Sequence, residues 1–535
     1  MNLFFFKPKK TLLYLLYILA FFLLSFLGFL YPILNYSIFW LIVIAVMILA
    51  IRNISDGLFI VFLELIVGNK GYLFSFPVAG FVISLRLALF IVVIISYLIS
   101  IIFSKKDKIS FLQSNLRFAF LILVLVLGIG LVNGLLNNSP KVVFYDINAY
   151  FFLALIFPIF HVFKNRENFF KFIKIFSLGA LALSFFTLII FFDFGIFHYN
   201  PAMITATQVE AKQLEQLNEL SNLPENARLA QTTQIAENKL KINWSEVAKN
   251  KTQVYRWLKD TGNAEVTYLG NRFFRVFMIS HFYLMLYLIF IVSYFFYKPK
   301  TAGKTNFRQI LLSILLIIVS FISFSRSLWL GFVLSACTLI IGLPRKKIFK
   351  FLICLLIIIL LIFTVCYFAL PSLLQLIYSR ISSLVHPTTE LAATNRLSLL
   401  TPIWQSIKNH PFFGSGFGTL ITFRSLIPGT DLVEYIKVYV YEWGYLDIIV
   451  KIGVLGLLAL CYFIFMIFKN SLFFIKQNSD DDYFLIRAFI AGLFYLVIVH
   501  FTTPYINHPL GLGFMLLTAA FFADNQKKLK TYGPV

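Results

Sequence analysis

Three charged residues stand out in a chain that has few of them: Arg326, Arg396 and Glu442. Arg326 lies in Ser325-Arg326-Ser327, which breaks an apolar stretch that would otherwise run from Ile310 to Leu343. A guanidinium there presents a planar donor fork that takes two phosphate oxygens at once, which an ammonium cannot do. The plainer alternative is the tip of a tight hairpin between two spans. Arg396 follows Thr394 and Asn395, close to the expected start of a helix, where unpaired N–H groups would add to anion binding. Its alternative is a solvated surface arginine. Glu442 stands in Tyr441-Glu442-Trp443-Gly444, just before an apolar run. A carboxylate among aromatics at a membrane edge is expected to hold its proton more tightly than usual, which suits a general base near neutral pH. An ordinary anion within an aromatic belt is the other reading. His386, His410 and Arg424 share the same polar segment, and His410 and Arg424 are possible additional substrate ligands. No HxxxH or HExxH spacing points to a metal.

These groups need elements to hold them, and the stretch from Asn395 to Gly418, NRLSLLTPIWQSIKNHPFFGSGFG, is the one expected to do so. A helix reaching Asn409 must stop before Pro411, because proline lacks an N–H and restricts the residue before it. Gly414, Gly416 and Gly418 then allow backbone approaches that a Cβ would block. The expected product is an ordered polar loop. Asp447 and Lys451, four residues apart, would share one helical face as an ion pair within a span. Glu64 and Arg86 are further charges in apolar runs with no obvious partner.

The rest of the chain sets the environment. Of 535 residues, 60% are hydrophobic and only 13% charged, more apolar surface than a soluble fold of this length can hide. About fourteen apolar runs, or twelve if the short runs at 57–68 and 328–343 are not spans, mark a polytopic all-α membrane protein. The net charge of +23 does not imply nucleic acid. Its lysines and arginines sit in alternate short connections, as cytoplasmic retention requires, and are placed to touch anionic headgroups. The alternation stays in phase from end to end, putting both termini on the cytoplasmic side. Cys337, Cys354, Cys366 and Cys461 all fall in apolar runs without metal or disulfide spacing. The run 12–30 is read as an uncleaved first span.

This orientation leaves two long polar segments outside. The chain divides into N-terminal spans (1–192), an extracytoplasmic helical insert (193–272), spans carrying the Ser-Arg-Ser motif (273–370), an extracytoplasmic catalytic loop (371–443), and C-terminal spans with a basic tail (444–535). Leu214, Leu217 and Leu220 repeat at helical spacing in the insert, and a second helix is expected over Ala227–Lys241. It reads as a solvated cap or as a recognition element for an acceptor. Sequons stand at Asn243 and Asn250.

The segments SRSLWLGFVLSA at 325–336, NRLSLLTPIWQSIKNHPFFGSGFG at 395–418 and GYLDIIVKIGVLGLLAL at 444–460 together resemble the O-antigen ligase/polymerase superfamily of bacterial envelope proteins, over roughly 310–510. The resemblance implies a membrane glycosyltransferase of the GT-C kind in the bacterial inner membrane. Such a protein moves a glycan from a polyprenyl diphosphate carrier to a lipid or glycan acceptor hydroxyl on the outer leaflet, without metal, nucleotide or other cofactor. The family's arginines map onto Arg326 and Arg396, where they would hold the diphosphate, with Glu442 as base. Family ligases usually place a His-Asn pair ten to eleven residues before a G-x-x-G. Here Glu442 and Trp443 occupy those positions ahead of Gly453 to Gly456, which keeps a polymerase open beside a ligase. A transporter or flippase is the alternative from another class, although no internal repeat supports it.

Overall fold

The structure, a computed structural model, describes residues 6–78, 80–103, 109–197, 252–270, 273–297, 307–341, 343–349, 391–426, 433–477 and 483–523. The expected span 351–370, both helices foreseen in the insert, the two sequons, His386 and the basic tail lie outside the described residues.

In chain order the helices are α1 (Pro8–Leu30), α2 (Pro32–Arg52), α3 (Ile54–Val67), α4 (Leu85–Phe103), α5 (Arg117–Asn137), α6 (Pro140–Phe151), α7 (Ile156–Val162), α8 (Glu167–Phe192) and α9 (Gln253–Asp260). They continue with α10 (His281–Phe296), α11 (Phe307–Ile322), α12 (Arg326–Ile340), α13 (Leu391–Ser398), α14 (Leu400–Asn409), α15 (Gly444–Gln477), α16 (Tyr483–His500) and α17 (Pro509–Ala523). Among the described residues eight helices are long and apolar enough to cross a membrane, and α10, α11, α12 and α17 are shorter apolar helices. Helices are the natural answer for such sequences, because each satisfies its own backbone in a medium without water. The chain is an all-α, multi-pass membrane protein.

Three two-stranded hairpins depart from the sequence expectation: β1–β2 (Ser75–Val78, Phe81–Ser84), β3–β4 (Glu265–Gly270, Phe273–Phe277) and β5–β6 (Ile421–Leu426, Val433–Val438). The runs expected to begin spans at 81 and 273 therefore begin as strands. Their β-branched and aromatic residues suit a pleated pair as well as a helix, so periodicity alone did not separate the two.

Connections that the charge pattern places outside meet at one end of the bundle. Asn69 Nδ2 donates to the Gly262 carbonyl at 2.5 Å, and Ser280 N donates to Asn69 Oδ1. Ser25 Oγ donates to the Leu73 carbonyl and receives the Trp257 indole N–H. Tyr505 Oη donates to the Ile279 carbonyl. At the other end, Asn115 and Asn470 exchange reciprocal amide hydrogen bonds at 2.7 and 3.0 Å.

Candidate active site

The glycine stretch is ordered, as expected, but it is not a surface loop. Gly414, Gly416, Phe417 and Gly418 are buried between α5 and α15. Helix α15 is broken at Gly453 (φ +70°), and the loop supplies what the break removes. Ser415 N and Gly416 N donate to the carbonyls of Val450 and Lys451 at 2.6 and 3.1 Å. Val454 N and Leu455 N donate in return to the carbonyls of Pro411 and Phe412. Orphaned backbone groups inside an apolar bundle cost several kcal/mol each, so this reciprocal stitching is what permits the break.

Helix α5 holds the other side. Phe417 N donates to the Gly130 carbonyl, while Asn133 and Asn138 side chains donate to the carbonyls of Gly414 and Phe417. All three loop glycines adopt positive φ, and a Cβ at Gly414 would lie 2.6 Å from Gly453 N. Here glycine is required by both conformation and space.

Below the loop lies a buried charge cluster. Lys451 Nζ is 2.5 Å from Asp146 Oδ1 and 2.8 Å from Asp447 Oδ1, so the expected i, i+4 pair forms and gains a third member from α6. Each carboxylate also accepts from the chain around it. Gly418 N reaches Asp146 Oδ2 at 2.8 Å, Tyr441 N reaches Asp447 Oδ1 at 3.1 Å, and Asn507 Nδ2 reaches Asp447 Oδ2 at 2.6 Å. One ammonium thereby ties together α6, the glycine loop, the start of α15 and the turn before α17. Asp146 was not singled out from sequence, because its partner is 305 residues away. Glu64 and Arg86, whose partners were not obvious from sequence, pair with each other across 2.8 Å. That pairing too reflects a contact between helices that spacing along one helix does not reveal.

At the Gly444 end of α15, helices α13 and α14 and the β5–β6 hairpin enclose a small apolar core of Leu399, Ile403, Ile407, Ile421, Tyr441 and Val450. Arg396 and Glu442 meet on its rim. Arg396 Nε is paired with Glu442 Oε2, and the Trp443 indole N–H donates to the Arg396 carbonyl at 2.9 Å. The pair is partly solvated, with Glu442 56% exposed. Two expectations change here. Arg396 occupies the last turn of α13, not a helix start, so no helix N-terminus assists it. Glu442 faces solvent and a guanidinium instead of being enclosed by aromatics.

Arg326 is the first residue of α12, half-buried, behind a strained turn in which Phe324 has φ +46°. Gly331 lets α12 pack closely against Tyr495 and Val499 of α16. The other side of that same helix end receives Trp443, whose ring lies 5.7 Å from Phe501, and Tyr445, whose hydroxyl donates to the Val497 carbonyl. Arg326 and Glu442 thus belong to elements that both pack near the His500 end of α16. Arg275 of β4, missed in the sequence, donates from Nε to the Ser323 carbonyl beside the Ser-Arg-Ser turn. Arg424 is exposed on β5, its carbonyl accepting from Ser398 Oγ. His410 is exposed at the end of α14. Among the described residues neither is hydrogen-bonded or ion-paired to the Arg396–Glu442 pair.

A partly open chamber of about 410 Å3 lies inside the same end, lined by residues including Lys70, Arg86, Tyr72, Tyr439, Lys451 and His508. Burial raises the proton affinity of the Tyr72 hydroxyl, helped by Tyr145 and Tyr439 and opposed by Arg86. Burial also raises Tyr439, reinforced by Asp146. His508 is pushed well below the usual imidazole range by burial, then by Arg86 and Lys70, and stands neutral. Among the described residues no group of His, Cys, Asp and Glu is arranged to hold a metal.

Residues 311–461, which contain the Ser-Arg-Ser turn, the glycine loop, the Arg396–Glu442 pair and the broken helix, match a family model described as O-Antigen ligase. Over residues 311–461 the chain is similar to the O-antigen ligase-like superfamily. No curated protein matches it. Of the elements that build the site, α5, α6, β4, α16 and the turn before α17 fall outside the ligase-like segment. Arg86 and Lys70 lie outside it.

Proposed function

We propose that this ligase/polymerase-type membrane protein is a metal-independent glycosyltransferase. In this reading it moves a glycan from a polyprenyl diphosphate carrier to an acceptor hydroxyl on the extracytoplasmic face of a bacterial inner membrane, with both termini cytoplasmic. The observation that carries the reading is the meeting of Arg396 and Glu442 at the outer rim of the ligase-like segment, drawn from positions 46 residues apart. A partly solvated ion pair is worth at most about 1 kcal/mol, so substrate can separate it. Arg396 and Arg326 then hold the diphosphate, and the released Glu442 carboxylate accepts the proton of the acceptor hydroxyl. The acceptor oxygen forms the new bond to the anomeric carbon as the carbon–oxygen bond to diphosphate breaks. The departing diphosphate keeps the electron pair, and its charge is balanced by guanidinium groups already in place.

The broken α15 and its buried charges favour a second reading, a transporter or flippase, because discontinuous helices with intramembrane charges recur in such proteins. Glycan analysis of a strain lacking the chain separates the two. Transferase loss leaves complete glycans or single repeat units on carrier lipid at the outer face; flippase loss leaves them facing the cytoplasm. Complementation with Glu442→Gln restores nothing if the carboxylate is the base.

A further inference from the structure

A second cavity lies away from the candidate site, between the first turns of α1 and α11. Helix α1 lines it from Pro8 to Leu15 and α11 from Arg308 to Leu315, each at i, i+3, i+4 and i+7, the stripe that one face of a helix presents. Both helices pack on α8, whose Leu181 and Phe185 complete a groove of about 410 Å3. The groove is apolar along its length and open at its edges, where Leu12 and Leu311 are 59% and 55% exposed. Its space is that of a flexible hydrocarbon chain, and the described residues do not fill it.

Positive charge gathers at one mouth of this groove. Arg308 opens the α11 stripe and lines the groove itself, while Lys7, Lys9 and Lys10 flank Pro8 at the start of α1. Phe22 of α1 stacks on Phe186 of α8 at 3.8 Å beyond the far end, so α1 and α8 run in the same direction past the groove. Lys174, seven residues before Leu181, therefore stands on the same face of α8 at the cationic mouth. Neither α1 nor α11 contains a carboxylate, and the one on α8, Glu167, lies two turns further from the groove than Lys174. Retention of a loop on the cytoplasmic side accounts for the basic residues, but not for the apolar groove beside them. A cationic mouth on a hydrocarbon-lined groove complements an amphiphile with an anionic head.

We propose that this groove is a binding site for a phospholipid of net negative charge. One acyl chain lies between α1 and α11 over Leu181 and Phe185, and the phosphodiester sits on Arg308, whose planar fork takes two oxygens at once, with the α1 lysines and Lys174 around it. In the orientation proposed above, the lipid comes from the cytoplasmic leaflet. It fills the space between two helices that both pack on α8, one of which, α11, leads directly into the Ser-Arg-Ser turn.

Native mass spectrometry of the full-length chain, stripped of lipid in detergent and titrated with dioleoyl phosphatidylglycerol or dioleoyl phosphatidylethanolamine, tests the site. One phosphatidylglycerol per chain should bind about tenfold or more tightly than phosphatidylethanolamine, whose ammonium meets the basic mouth. Arg308→Gln should weaken phosphatidylglycerol about tenfold, the effect of one lost charge-assisted hydrogen bond. Leu311→Trp, a change at an exposed position that leaves the fold intact, should weaken it as much by occupying the groove. Lys469→Gln, at an exposed lysine of α15 outside the groove, should leave it unchanged. Equal binding of the two lipids, or a phosphatidylglycerol affinity that survives either groove substitution, overturns the proposal. Displacement of phosphatidylglycerol by equimolar farnesyl phosphate overturns it too, and assigns the groove to a polyprenyl chain. The titration involves no transfer, so failure of the transfer reading would leave this site standing.

Discussion

Replacing Lys451 by methionine removes the one cation among two buried carboxylates and keeps the length of the side chain. The ammonium lies 2.5 Å from Asp146 and 2.8 Å from Asp447, all three side chains being at most 3% exposed. Breaking a buried ion pair by deleting one partner costs about 3–5 kcal/mol, because the remaining charge has lost its compensation. Here two carboxylates are stranded together, so the upper half of that range applies. Unfolding of the purified chain in mixed micelles by increasing SDS, followed by tryptophan fluorescence, reads the loss. The triple variant Asp146→Asn, Asp447→Asn, Lys451→Met removes every charge of the cluster and should recover most of the stability, since neutral groups of similar shape cost little in place of a buried ion cluster. The reasoning fails if Lys451→Met alone unfolds within about 1 kcal/mol of the natural chain, the cost of a solvated pair.

Gly416→Ala should abolish accumulation of folded protein, read by monodispersity in detergent, because φ is +88° and the added Cβ would overlap Gly134 of α5. Arg396→Lys keeps the charge and loses the planar fork; diphosphate release from a lipid-linked glycan should slow about tenfold or more, and an unchanged rate reduces Arg396 to a surface residue. Stability should fall as pH drops below about 6.5, the ordinary imidazole value. The unfolded chain takes up a proton there that folded His508 refuses, buried and facing Arg86 and Lys70. His508→Asn should make that slope shallower in a thermal-stability series from pH 7.5 to 5.5.

What the sequence revealed and what it withheld divide along one physical line. Helix α14 ended at Asn409 as Pro411 required, the glycines proved obligatory, and Asp447 met Lys451, because each of these is a local consequence of residue type and spacing. Arg396 and Glu442, chosen separately, turned out to touch. The burial of the glycine loop was not foreseen because nothing nearby in the chain announces that α15 breaks at Gly453 and needs foreign carbonyls and N–H groups. Asp146 and the Glu64–Arg86 pair were hidden for the same reason: their meaning lies in a partner on another helix. The strands at 81 and 273 were absorbed into apolar runs whose composition serves strand and helix alike, while β5–β6 lay in the segment read as a polar loop.

The central claim is that Glu442 takes the proton from the acceptor hydroxyl. Reconstituting the chain with a lipid-linked glycan and measuring transfer for Glu442→Gln tests it most directly. The account predicts a loss of about 100-fold or more, the usual worth of a positioned general base, with bound diphosphate per chain unchanged. Transfer at the rate of the natural chain would contradict it.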